Sequence, residues 1–474
     1  MGKPNWGQWA YAGWVLYLMA AIVAPAQTFT TLHNFSGTDG RNPYAGLFQA
    51  TGGSLFGTTN QGAANNSGTV FKITTGGTLT TLYNFCSLSS CADGGFPRAG
   101  VIQALNGKFY GTTAGGGPFD SPGTIFQITS SGTLTTLYTF CALSGCADGE
   151  TPLGGLIQAL NAKLYGTTAA GGAHLNGTVF EIATTGGALT TLYSFCSLTG
   201  CADGTGPEAS LYQGTDNHLY GTNYDGGTFS YYGTVFKIST TGAFTSLHSF
   251  DGTDGDEPIG GLVQASDGNY YGTTQTDGAN GYGTVFRITS TGTLTTIYNF
   301  CSLSACADGG FPEASLIQGT DGKLYGTTFD GGAHGDGTIF NITTSGTLTT
   351  LHSFDGTDGN QPLGAVIQDT NGTLYGTTYS GGTSNDGTVF SLSMGLKPFV
   401  KTMPAAGKVG ITVQILGNNL TGATSVTFNG TPTTPTVVSS TEITATVPAG
   451  ATTGTVKVVT PHGTLSSNVP FRVT

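Results

Sequence analysis

Along most of the chain, apolar residues come in short runs parted by clusters of Gly, Thr, Asn and Asp. One stretch shows the pattern: GGLVQA (260–265), NYYGTT (269–274), GTVFRI (283–288) and TLTTIYNF (293–300). Rich in Val, Ile, Thr, Tyr and Phe and bounded by turn formers, these segments predict four β-strands. The unit repeats, and the Gly of a ΦΦGT[TN] motif stands at 57, 111, 166, 221, 272, 326 and 376, at spacings of 50 to 55 residues. Four strands in roughly 50 residues make a propeller blade, whereas a β-helix would use far shorter coils. The two ends are out of phase: TFTTLHNF (28–35) opens the series without a preceding strand, and GTVFSL (387–392) closes it without a following one. Pairing the two closes a ring and removes an exposed sheet edge. The expected fold is all-β, a seven-bladed β-propeller over residues 27–394 with four-stranded blades and an N-terminal strand closing the last one.

Strands that alternate in direction put successive connections on opposite faces. Both long connections, one carrying Asp-Gly-x-x-Pro and one following GTT, therefore share a face, which becomes the candidate binding face. The pattern changes near residue 396. Residues 397–474 read as alternating strands such as ITVQILG (411–417), SVTFNG (425–430) and TEITATVP (441–448), the spacing of a small β-sandwich. Residues 1–26 combine Lys3, an apolar run from about Tyr11 to Val23 and Ala24-Pro25-Ala26, which reads as a secretory signal too short to span a membrane.

Two resemblances rest on these residues. The recurring LYGTT-x-x-GG, GT[VI]F and TLTTLY-x-F segments resemble the GloVer-type bacterial tandem repeat, and more loosely kelch and NHL-type blades, although kelch's Trp is absent. Residues 397–474 resemble an IPT/TIG domain, an immunoglobulin-like fold, through Pro404, Gly407, Gly417-Asn418-Asn419, Val426-Thr427-Phe428, Val447-Pro448-Ala449-Gly450 and Pro470-Phe471. Neither resemblance implies a shared reaction.

Composition narrows the function classes. Only 8% of the 474 residues are charged, and the net charge is −12. A phosphate-neutralising surface is excluded, and nucleic acid with it. The 79 Gly argue against long helices, while 38% hydrophobic residues suffice for a core. Charge also divides the chain, since residues 27–396 carry a net −17 and residues 397–474 a net +4. Eight cysteines form four C-x4-C pairs: Cys86 and Cys91, Cys141 and Cys146, Cys196 and Cys201, Cys301 and Cys306. Three repeats have neither cysteine, so pairing within each loop is expected; zinc would want closer spacing and more ligands.

Candidate chemistry is sparse. The Asp of Asp-Gly-x-x-Pro occurs in every repeat, at 39, 93, 148, 203, 254, 308 and 358. A calcium-binding ring is one reading; an Asx turn, which every repeat needs, is the favoured one. A Gln in the GLIQA-type strand also recurs, and hydrogen bonding between blades is preferred to ligand binding for it. His33, His248 and His352 take the place of Tyr in a repeated strand position, which reads as packing. Repeats diverge most in the loop after GTT, where His174 and His334 share Gly-Gly-Ala-His, Asp225 and Asp330 share a position, and Tyr231 and Tyr232 extend one copy. Aromatic and amide-rich loops suit sugar stacking and hydrogen bonding, so these six residues are the ligand-binding candidates. No nucleophile elbow, zinc-protease, P-loop or dinucleotide motif is present. The expectation is an exported, monomeric, non-catalytic binding or adhesion protein. It would be secreted or cell-surface-associated, with the periplasm as alternative, and without cofactor or metal. A glycan or extracellular protein would be its ligand. The alternative is a secreted glycoside hydrolase or lyase using loop carboxylates.

Overall fold

The computed structural model describes residues 27–116, 122–229 and 231–474; the expected secretion signal, residues 1–26, lies outside the described residues. Seven four-stranded antiparallel sheets follow one another. Blade one comprises Phe48–Gln49, Leu55–Thr59, Thr69–Ile73 and Leu79–Asn84, from the innermost strand outward. Blade seven takes Ile367–Gln368, Leu374–Thr378 and Thr388–Ser393, and its outer strand is Thr28–Asn34 from the chain's beginning. That pairing runs antiparallel from Thr28 opposite Ser393 to Asn34 opposite Thr388. The result is a seven-bladed propeller closed by its own N-terminal strand. Among the described residues, no helix is long and apolar enough to cross a membrane.

The repeated residues have separate mechanical tasks. In blade one a Cβ on Gly57 would come within 2.5 Å of Phe71 Cζ, and in blade seven one on Gly376 within 2.4 Å of Phe390 Cζ. The Gly of LYGTT thus makes room for the Phe ring of the neighbouring GTVF strand. Blades are joined by side chains rather than by strand ladders: Phe56, Val70 and Phe85 of blade one pack with Val101, Phe109, Phe126 and Ile128 of blade two.

Two rings of hydrogen bonds then run from blade to blade. The middle residue of GT[TN], namely Thr58, Thr112, Thr167, Thr222, Thr273, Thr327 and Thr377, donates its hydroxyl to a carbonyl of the next blade at 2.9 to 3.3 Å. The acceptors are Ala99, Gly154, Ala209, Gly260, Ala314, Gly364 and, closing the circle, Ala45, each two residues beyond the repeat's Pro. On the short-turn face the repeated Gln does the same work. The amide oxygen of Gln103, for instance, accepts from Thr51 N–H at 2.9 Å, and that of Gln49 accepts from Thr370 N–H at 3.3 Å across the closure.

The repeated Asp is used within its own loop. Asp93 Oδ2 accepts from Ser87 N–H and Tyr83 OH, both at 2.8 Å, and Oδ1 accepts from Leu88 N–H at 3.1 Å. Burial alone would raise the Asp93 pKa, but these donors outweigh it and hold the carboxyl below its ordinary value. The cysteines pair within each loop, Cys86 with Cys91, Cys141 with Cys146, Cys196 with Cys201 and Cys301 with Cys306. Where a repeat lacks the disulfide loop, His replaces Tyr as the partner: His33, His248 and His352 sit 2.8, 2.6 and 2.7 Å from Asp39, Asp254 and Asp358. Those histidines therefore do more than pack, since each anchors the turn's carboxylate.

The C-terminal residues form a sandwich of two four-stranded sheets and a short parallel pair. Val413, Ile415, Val426, Phe428, Ile443, Val458 and Phe471 make its core. It rests on the short-turn face of the propeller, leaving the long-loop face free of it.

If the threonine ring holds the blades in place, Thr273→Val should lower the unfolding free energy by about 1–3 kcal/mol, because Ala314 O is left buried without its donor at almost unchanged volume. Thr295→Val, on an exposed strand position, should change it by less than about 0.5 kcal/mol. Urea denaturation of both variants checks this; equal effects would show that the ring bond contributes nothing specific.

Candidate functional site

Every long connection into an innermost strand follows one path. The residue before the repeat's Pro takes a positive φ of 54 to 60° in all seven copies: Asn42, Phe96, Thr151, Gly206, Glu257, Phe311 and Gln361. Six of the seven are not glycine, and Thr151 is β-branched, so the backbone bears strain here. Its carbonyl accepts the N–H of the residue after GT[TN], as in Tyr224 N–H to Gly206 O at 3.0 Å and Gln275 N–H to Glu257 O at 3.0 Å. The next residue is the Pro, and the one after it enters the axial mouth. Two residues past the Pro, the carbonyl is tied into the threonine ring. The mouth position is thus held between two fixed points.

That position is occupied by Tyr44, Arg98, Leu153, Glu208, Ile259, Glu313 and Leu363. A second ring behind it, after GT[TN], contains Asn60, Tyr224, Gln275, Phe329 and Tyr379 together with two alanines. The second ring bonds both to the mouth position and to the residue before the Pro. Gln275 Nε2 donates to Glu313 Oε1 at 2.7 Å, and Tyr224 OH donates to Glu257 Oε1 at 2.6 Å. Tyr44 meets Tyr379 edge-on with ring centroids 6.1 Å apart, and the Arg98 guanidinium lies 5.0 Å from the Tyr44 ring centroid. A groove of about 390 Å³ opens beside Arg98, between Asn60, Phe96, Ala114, Thr151 and Leu153.

Charge is unevenly spread over this mouth. Glu208, Glu257 and Glu313 come from three consecutive connections and repel one another, against Arg98 alone as a mouth cation felt by Glu208 and Glu313. Burial first, and then Glu208 and Glu257, push Glu313 up to about 7, although Gln275 and Arg98 pull the other way. Burial also raises Glu208, with Glu257 adding to it and Arg98 opposing. Asp256 is raised to about 6, mainly by burial, with Glu257, Asp277 and Asp225 contributing. Tyr44 is pushed up to about 12 by burial and then by Glu313. Such a site offers aromatic faces, a fixed guanidinium, an amide and carboxyls that carry a proton near neutral pH.

The residues singled out from the loop sequences lie elsewhere, on the outer part of the same face. His174 and His334 are exposed on separate blades, and Tyr231 is 72% exposed. Tyr232 folds back onto the apolar cluster around Tyr220, Phe250 and Phe286. Asp225 and Asp330 each accept a bond from the following glycine N–H, at 2.6 and 2.7 Å, which closes their own turns. Asp225 alone adjoins the acidic half of the mouth, through Asp256. A sequence signal for the mouth does exist: inside an otherwise uniform Pro-x-[AG]-[GSA]-[LV] stretch, only x runs from Tyr to Arg to Glu to Leu.

Comparison with known proteins gives the following. The Gloeobacter/Verrucomicrobia repeat matches residues 17–162, 142–316 and 301–435, and the IPT/TIG domain matches residues 398–473. No curated protein matches. Among solved structures, an AA5-family fungal alcohol oxidase in complex with copper aligns at 15% identity and TM-score 0.52 over 94% of this chain and 98% of its own. An extracellular domain assigned to a hybrid two-component system of B. thetaiotaomicron aligns at 11% identity and TM-score 0.51, over 94% of this chain and 58% of its own. At these identities the likeness is one of fold.

The Glu313 shift has a stability consequence with a definite sign. The folded chain keeps a proton between the ordinary 4.5 and about 7, where the unfolded chain has lost it, so this group's contribution falls as pH rises through that window. Glu313→Gln should therefore raise the unfolding free energy at pH 8 by about 1–2 kcal/mol and leave it unchanged at pH 5. Denaturation at the two pH values reads the difference; an equal effect at both would mean Glu313 carries no buried-charge cost.

Proposed function

As the chain belongs to the Gloeobacter/Verrucomicrobia repeat family, with an IPT/TIG domain after the repeats, we propose that it is an exported, non-catalytic binding protein whose propeller mouth takes a glycan. The propeller, the immunoglobulin-like domain and four disulfides fit an extracellular binding protein in an oxidising compartment. One observation carries the glycan reading. A single repeat position, fixed in space by the rings on either side, varies only in the side chain it aims at the axis, and its polar occupants are Tyr44, Arg98, Glu208 and Glu313. Aromatic faces beside carboxyls and amides are the groups that stack on sugar rings and bond their hydroxyls. His174, Asp225, Tyr231, Tyr232, Asp330 and His334 would then be flanking contacts for a longer chain running outward over the loops.

A second reading has an observation of its own. Glu313 near 7 is poised as a proton donor, and Glu208 on another connection is a second carboxyl felt by it. That pairing is the minimum for a glycoside hydrolase or lyase.

Residues 27–474, incubated with a panel of insoluble polysaccharides, should be depleted selectively by one of them. Tyr44→Ala and Arg98→Ala should each weaken that binding by about tenfold, and His334→Ala by no more than about threefold. New reducing ends or unsaturated products in the same tubes, lost in Glu313→Gln, would overturn the non-catalytic reading; no depletion by any polysaccharide would overturn the glycan reading.

A further inference from the structure

The C-terminal sandwich crosses the short-turn face from one side of the axis to the other. On one side Phe399 N–H donates to Thr370 O and Asn418 Nδ2 to Thr370 Oγ1, both at 3.0 Å, in blade seven; Thr441 Oγ1 donates to Thr51 O at 3.3 Å in blade one. On the other side Arg472 Nη1 donates to Gly214 O at 3.2 Å and to Thr215 O, and Nη2 donates to Asn217 Oδ1 at 2.9 Å, in blade four. In a ring of seven, blade four lies opposite the junction of blades seven and one. A body anchored at both places covers the axis between them. The ring of innermost strands is therefore covered at this end, while the groove beside Arg98 lies at the other.

Lys401 stands in the first strand of the sandwich, Lys401–Met403, close after the blade-seven anchor. Its Nζ lies 5.5 Å from the ring centroid of Phe48, which belongs to the innermost strand of blade one. The Lys401 side chain is exposed, and the Phe48 ring beside it sets it at the inner end of blade one. No hydrogen bond or ion pair engages its ammonium among the described residues, and the Phe48 ring is its one direct contact of that kind. Asp369, 2% exposed, is close enough to favour the charged form against burial, but Oδ1 of that carboxyl is itself buried without a partner. Asp369 is the only acid at its repeat position; the other six blades have Ala50, Ala104, Ala159, Gly214, Ala265 and Gly319.

Between floor and mouth the innermost strands contribute half-buried Phe48, Ile102, Ile157, Tyr212, Val263, Ile317 and Ile367, of which only Tyr212 carries a polar atom. Charge is thus laid out along the axis, with carboxyls at the mouth, apolar residues along the wall and a lysine without an ion-pair partner at the floor. A polyanion would be repelled by Glu208, Glu257 and Glu313 along its whole length, whereas a neutral chain with a single negative end meets that repulsion only while the end passes the mouth. We propose that the axial channel is a one-ended binding tunnel whose ligand is a neutral oligosaccharide bearing one terminal carboxylate, inserted so that the carboxylate pairs with Lys401. This rests on the glycan reading above and adds the ligand's charge and its direction of entry.

Oligosaccharides of the same panel, oxidised at the reducing end to their aldonic acids, are titrated calorimetrically beside their unoxidised parents. The proteins are residues 27–474, Lys401→Met and Lys401→Arg. For the responding sugar, the acid should bind the unaltered chain about tenfold more tightly than its parent. That gain should vanish in K401M and survive in K401R, with the parent binding all three alike. Equal binding of acid and parent, or a gain that persists in K401M, overturns the tunnel proposal and leaves the glycan reading standing. No binding of any sugar in either form removes both. Coincident thermal unfolding of K401M and the unaltered chain separates a lost contact from a lost fold, and an acid-to-parent ratio of one on the unaltered chain overturns the proposal without any variant.

Discussion

The hydroxyl of the second GT[TN] residue, donated to a carbonyl of the next blade, is the bond on which the rest of this molecule is hung. It recurs seven times and closes on itself through Thr377 and Ala45. Each acceptor sits two residues beyond a Pro whose predecessor is held at positive φ. The residue between acceptor and Pro has little freedom left, so its side chain is delivered to the axis whatever its type. Scaffold and site are thereby separable: the ring demands Thr, Gly and Pro, and the mouth can hold Tyr, Arg, Glu or Leu without disturbing it.

This separation lets charged side chains stand together at the mouth without disturbing the ring. Glu208, Glu257 and Glu313 are brought together by the circular arrangement, and burial makes each of the first and last less willing to ionise. Holding such groups costs stability unless a ligand or proton satisfies them. The disulfide loops and the Asp anchors solve a different problem. They stiffen the outer rim of the same face, both carboxylate oxygens of Asp93, Asp148, Asp203 and Asp308 accepting from donors in their own loops.

Much of the fold was legible because each repeated letter answers a local demand. Gly57 and its counterparts face a Phe ring, the recurring Gln bridges neighbours, and the out-of-phase ends of the repeat foretell closure. The site was less legible for physical reasons. Variation in the loop after GTT drew attention to His174, Tyr231 and His334, yet a long loop diverges most where it is most exposed. The mouth residues vary inside a short uniform stretch, and their convergence depends on a left-handed backbone step at residues such as Thr151 and Phe311, which no local propensity announces. Tyr224 and Glu257 are 33 residues apart and meet only through the ring. Lys401 reads as an ordinary surface lysine until the sandwich is seen lying across the axis.

Amide hydrogen exchange on residues 27–474, with and without a bound oligosaccharide, tests most directly where the ligand sits. Protection should concentrate on the segments 42–46, 96–100, 206–210, 257–261 and 311–315, which carry the mouth, with little change at 173–176 and 333–336. Protection confined to those outer loops, with the mouth segments exchanging as in the free chain, would contradict a binding site at the propeller's axis.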